Sequence, residues 1–156
     1  MKLAILAVGH KPPDWVARGC DDYLRRMPRE LGLAVIEVKP EARSGKTRQQ
    51  LLAAEKTRLL AVLQNYPRLV VLDERGTDLS TLQLAEHLEH WLQGGDDTAF
   101  VIGSADGVDE SLKQQANATI RLSSLTLPHA LARLILCEQL YRAVSVIRHH
   151  PYHRQD

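Results

Sequence analysis

The sequence predicts an α/β domain of three layers, with helices on both faces of a mostly parallel sheet. Short runs rich in Val, Ile, Leu and Ala alternate with amphipathic stretches at helical spacing. The runs are mostly continuously apolar instead of alternating, as strands covered on both faces are. Size agrees with this: 156 residues, 44% of them hydrophobic, suffice for one core and are too few for two comfortable domains, so a single domain over 1–156 is expected.

The first strand is Leu3 to Val8, and Pro12-Pro13-Asp14 after it suits a helix start. Trp15, Val16, Tyr23, Leu24 and Met27 form that helix's apolar face, and the Pro28 to Gly32 region stops it. The second strand, Leu33 to Val38, runs into a polar loop, Pro40 to Arg48 (PEARSGKTR). Its SGKT resembles the end of a phosphate loop, but Pro40 stands where GxxxxGK[ST] needs its first glycine. Leu52, Leu59 and Leu63 mark a second helix, and Leu69 to Leu72 a third strand. Ser80 caps a third helix carrying Leu84, Ala85, Leu88, Trp91 and Leu92, which Gly94-Gly95 ends. Thr98 to Ile102 is the fourth strand and Thr119 to Leu122 a weaker fifth. The final helix, roughly Ala130 to Ile147, is apolar nearly all round, so it belongs in the core or against a second subunit.

Composition excludes several classes. Charged residues are 25% of the chain and no apolar run approaches the ~18 residues of a membrane span, which argues against disorder and membrane spanning. The short apolar N-terminus lacks a small-residue cleavage site, so no secretory signal is expected. Cys20 and Cys137 lie far apart in sequence and form no CxxC pair, suggesting neither zinc nor a disulfide and pointing to a reducing cytoplasm. Net charge is only +1 but unevenly spread. Gly76 to Leu112 holds eight acids and no Lys or Arg, whereas Lys113 to Gln155 holds six cations and four histidines against Glu138 alone. An anionic partner would meet the C-terminal segment.

In VIGSADG, Gly103 ends the fourth strand and Gly107 follows. Glycine there lets a ligand lie against the main chain, or else makes a tight turn. Leu122-Ser123-Ser124-Leu125-Thr126-Leu127-Pro128-His129 alternates small hydroxyl and branched apolar side chains, suiting a loop around a flat aromatic ligand or a buried crossover. Glu138 and Arg142 stand i, i+4 with the acid first, an ion pair that on so apolar a helix points to a pocket or interface. The tail His149-His150-Pro151-Tyr152-His153-Arg154 mixes stacking and cationic groups suited to RNA, with a frayed terminus as the plain alternative. No Cys or suitably spaced carboxylate joins its histidines, so no metal is expected there. His87 and His90, beside Glu86 and Glu89, read as a solvated helix face.

Taken together, AVGHKPPDWV, YLRRMP, VVLDERG, VIGSADG, LSSLTLPHALARLILCEQLYRA and HHPYHR resemble, over essentially the whole chain, the ribosomal RNA large-subunit methyltransferase H family, the SPOUT methyltransferases of the ybeA type. The resemblance implies a C-terminal trefoil knot, a homodimer, S-adenosylmethionine as cofactor, and methyl transfer to N3 of a pseudouridine in large-subunit ribosomal RNA, within the ribosome. It maps the cofactor onto Leu72, Gly103, Leu122, Ser123, Ser124, Leu125, Thr126 and Leu127. After Gly103 the family often has a second glycine and a proline-glutamate pair; here stand Ser104, Ala105 and Asp106. His129, His153 and Glu138 are candidates for a base that removes the N3 proton. Arg142 and Arg154 are candidates for holding phosphate or developing negative charge. Tyr152, His153 and Arg154 are the candidate RNA contacts. Two other readings remain at this point: a noncatalytic module binding a nucleotide-like ligand, and a ribosome-associated assembly factor of the same fold.

Overall fold

The structure, a computed structural model, describes residues 1–154 apart from the side chain of His153. Five strands, β1 (Leu3–Val8), β2 (Leu33–Val38), β3 (Arg68–Asp78), β4 (Thr98–Ile102) and β5 (Ala118–Arg121), pair in the order β2-β1-β4-β3-β5. Every pairing is parallel. The helices are α1 (Asp14–Arg26), α2 (Arg48–Leu63), α3 (Thr81–Gly94), α4 (Glu110–Gln115) and α5 (His129–Ile147), followed by a 3-10 turn over Pro151–Arg154. Among the described residues no helix is long and apolar enough to cross a membrane.

Successive strand side chains point to opposite faces, and both faces are covered. Leu3, Ile5, Val70 and Phe100 join a core closed by Val16 of α1, Leu88 and Trp91 of α3, and Leu136 and Leu140 of α5. Ala4, Leu6, Val71 and Val101 join a second core closed by Leu59 and Leu63 of α2 and Leu112 of α4. The continuously apolar strands are therefore central strands of a sandwiched sheet. Thr47 and Ser80 start α2 and α3 with reciprocal capping boxes to Gln50 and Gln83, satisfying amides that have no partner within the helix. Gly95, at φ +78°, takes the left-handed position after α3. After α5 that position falls to His149, at φ +56°, and the His150 amide closes onto the Ser145 carbonyl at 2.8 Å.

The third strand is longer than its apolar run. It extends to Asp78 because pairing with β5 resumes beyond a bulge: Leu72 and Thr77 both pair with Ile120. Gly76 permits this close crossing, since a Cβ there would stand 2.6–2.8 Å from the Ile120 backbone. Helix α4, capped by Asp109, was too short to show a period in the sequence. Cys20 and Cys137, distant in sequence, are buried free thiols that face each other between α1 and α5.

Candidate active site

A cavity of about 990 Å³ opens beside Leu72 to Arg75 of β3, where its apolar run ends, and at the C-terminal ends of β4 and β5, the side of the sheet on which parallel α/β folds bind ligands. Its apolar lining comprises Leu72, Ile102, Val108, Leu122, Leu125 and Leu127 among others. Leu125 is 77% exposed, an apolar side chain left uncovered at the cavity edge. The lining also carries charge, including Asp73, Glu110, Lys113 and Arg121. Lys113 Nζ lies 2.6 Å from Asp73 and 3.5 Å from Glu110, and Arg121 pairs with Asp78 at 2.9 Å. Burial pushes the Asp73 carboxyl up, but hydrogen bonds from Lys113 and the Arg75 amide outweigh it and hold it below its ordinary value. The same Asp73 bond raises Lys113. Both groups are thus ionised near neutrality.

All eight residues mapped from the sequence, Leu72, Gly103 and Leu122 through Leu127, border this one cavity. Ser123 Oγ accepts from the Leu125 amide at 2.9 Å, which turns the loop and leaves Ser124, Leu125 and Thr126 outermost. Of the two roles expected for Gly103, the tight turn is the one the structure shows. A Cβ at 103 would run into the Gly107 carbonyl and come within 2.6 Å of Val108 Cγ2, so the chain's own turn requires glycine here. The positive φ of that turn belongs to Gly107, at +91°.

His129, at the start of α5, also borders the cavity. Its ring packs on Gly9, where a Cβ would lie 3.0 Å from the ring Cε1, and its Nε2 is buried without a partner among the described residues. Burial, reinforced by the charge of Arg133, lowers its pKa below the ordinary histidine value and keeps it neutral. Arg133, one turn on, is 2% exposed. Its Nη1 donates to Glu37 at 3.0 Å, while Nε and Nη2 have no partner among the described residues.

The remaining candidates form a second cluster. Glu138 and Arg142 are paired as their spacing predicts, with Arg142 Nε donating to Glu138 Oε1 at 2.7 Å. Glu138 stands nine residues beyond His129, about 13 Å along the helix axis. Neither it nor Arg142 borders the cavity. Tyr152 from the tail completes this cluster, with its ring under the Arg142 guanidinium at 4.9 Å and against Tyr141 at 4.7 Å. Arg154 is exposed. The His153 side chain, a base and RNA candidate, lies outside the described residues.

Within one chain, then, the structure joins His129 to the loop residues and separates Glu138, Arg142 and Tyr152 from them. Sequence reasoning did not single out Asp73, Lys113, Arg48 or Glu55. Asp73 had a signal, being an acid directly after an apolar strand; the other three become neighbours of the site only through folding.

The chain is 65% identical over 155 residues to a protein of Dechloromonas aromatica (strain RCB) named Ribosomal RNA large subunit methyltransferase H, with 99% of both chains covered. It is 55% identical, at the same coverage, to a protein of that name from Paraburkholderia xenovorans (strain LB400). Among solved structures, a probable methylase family protein from Haemophilus influenzae Rd KW20 shares the fold, with TM-score 0.54 and 14% identity over 97% of this chain and 67% of that one. The family model described as "Predicted SPOUT methyltransferase" matches residues 1–153. On a match of that extent, the chain belongs to the SPOUT methyltransferase family.

Proposed function

We propose that this chain methylates N3 of a pseudouridine in large-subunit ribosomal RNA, using S-adenosylmethionine, as a cytoplasmic homodimer acting on assembled ribosomes. The observation that carries the reading is the convergence of Leu72, Gly103 and Leu122 through Leu127 on one cavity beside a neutral His129. The donor set fits the cofactor. Leucine and isoleucine side chains suit the faces of an adenine ring, backbone groups of the 122–127 loop suit its edge, and the ionised Asp73 and Lys113 suit an amino-acid zwitterion. When bound, S-adenosylmethionine supplies an electrophilic methyl group on a sulfonium.

The chain's own part is chiefly positioning, because an in-line displacement gains most from holding the reacting groups in order. His129 keeps an unprotonated ring at neutral pH and is the base candidate at the cavity. Glu138, Arg142, Tyr152, His153 and Arg154 serve the reaction through a second copy, whose tail meets the first copy's cavity. The apolar α5 supplies part of that contact, and a C-terminal trefoil knot formed where β3 and β5 cross holds the loops in place. RNA binding falls to the cationic groups of the tail, Arg154 among them, with Tyr152 holding the tail against its own chain.

The test is mass spectrometry of ribosomal RNA after ribosomes are incubated with labelled S-adenosylmethionine and either the full chain or a chain ending before Pro151. A methylated pseudouridine from the full chain and none from the truncation, with cofactor affinity retained, supports the reading. Equal labelling by both removes the tail from it. No labelling by either, despite cofactor binding, leaves the noncatalytic module.

A further inference from the structure

Glu55 of α2 is 3% exposed. A carboxylate this deep is costly unless its oxygens are taken up, and both are. Oε1 accepts from Ser104 Oγ at 2.8 Å and Oε2 from the Glu41 amide at 3.0 Å. The two donors lie on different loops, one after β4 at the cavity wall and one between β2 and α2. A second pair of bonds ties the same loops. Arg48 donates to the Asp106 carbonyl at 2.8 Å, and Arg43 pairs with the Asp106 carboxylate at 3.0 Å. Between these anchors the Gly107 amide closes onto the Ser104 carbonyl at 2.9 Å, making the tight turn that Gly103 and Gly107 permit.

We propose that Glu55 is a positioning residue of the methyl-donor site: through Ser104 it holds the turn between β4 and α4 in its binding geometry, and through Glu41 it couples that turn to the β2–α2 loop. The inference rests on the cofactor reading given above. Ser104 is then an anchor directed at α2 and no obstruction to the cavity. Glycine could keep the turn's shape but not this bond, so α2 and the cavity wall are held together here by side chains.

Calorimetry with S-adenosylhomocysteine tests this on the full chain, its Ser104→Ala and Glu55→Gln variants and the double variant. Methylation of ribosomes at varied S-adenosylmethionine gives KM and kcat alongside. Ser104→Ala leaves a buried Glu55 oxygen unpaired, and binding should weaken about ten-fold, with KM rising in step and kcat at saturating donor unchanged. Glu55→Gln can keep both partners, its Oε1 accepting from the Glu41 amide and its Nε2 donating to Ser104 Oγ, and should lose less, and the double variant should be non-additive. Unchanged affinity in Ser104→Ala alongside a lowered melting temperature means that the contact serves stability alone and overturns the proposal, as does a fall in kcat at constant KM. If the unaltered chain does not bind S-adenosylhomocysteine, the donor-site reading itself fails, an outcome distinct from failure of the clasp.

Discussion

The Tyr152 hydroxyl stands 3.1 Å from Glu138 Oε1, the same oxygen that accepts from Arg142 Nε. Tyr23 Oη lies 3.2 Å from Tyr152 Oη on its other side. A residue expected to stack on RNA is thus docked on its own chain, wedged between α1 and α5. Burial and the Tyr23 bond push the Tyr152 phenol well above its ordinary range. Tyr152→Phe should cost about 1 kcal/mol, the worth of one such bond, in chemical denaturation. Ultraviolet titration should also lose a tyrosine that titrates above the ordinary range. A variant that unfolds with the unaltered chain would show that docking adds no stability.

The two crowded glycines should be intolerant for a packing reason. At Gly76 and Gly103 an added Cβ meets backbone, which cannot move aside as a flexible side chain can. Gly76→Ala and Gly103→Ala are each expected to lose about 2–4 kcal/mol, measured by denaturant unfolding. Gly32, with nothing near its Cβ position, is the control and should tolerate alanine.

His129 gives the fold an acid-sensitive element. Its native pKa is depressed, so above its ordinary value near 6.5 both native and unfolded forms are neutral and it adds no pH dependence. As pH falls through that value the unfolded chain takes up the proton first, and native stability declines. Between about pH 7 and pH 5, His129→Gln should flatten the fall in unfolding free energy. A slope equal to that of the unaltered chain would count against a depressed pKa.

Arg133 makes the opposite kind of prediction, that losing a buried charge costs little. Two of its guanidinium nitrogens have no partner among the described residues, and Glu37, its ion-pair partner, is half exposed and can return to water. Arg133→Met should change stability by less than about 1 kcal/mol, and NMR titration should show the His129 pKa rising as the neighbouring positive charge is removed. A large destabilisation would mean that the unpartnered nitrogens are satisfied by ordered water.

Much of the architecture was legible because burial on two faces writes itself into each strand locally. Leu3 to Val8 and Thr98 to Ile102 are strands in the structure at the limits their apolar runs set, and Ser80 caps α3 as its position suggested. The cavity loops were legible for a related reason. In a parallel sheet the residues at the strand ends are brought together by topology, so Gly103 and Leu122 through Leu127 were legible from their places in the chain, whereas Leu72 and the assignment of all eight to one site came from the family resemblance.

What the sequence determined by itself was therefore the order of elements, the layering, and which loops share an end of the sheet; each follows from short-range periodicity. Tertiary structure alone decided that β3 runs on past Asp73 to meet Ile120 a second time, that Glu55 reaches Ser104, and that Tyr152 returns to Glu138 while His129 faces the cavity. These are partnerships between distant segments, set by strand register and helix packing. A side chain's sequence neighbours carry no record of which remote group will satisfy it once water is excluded.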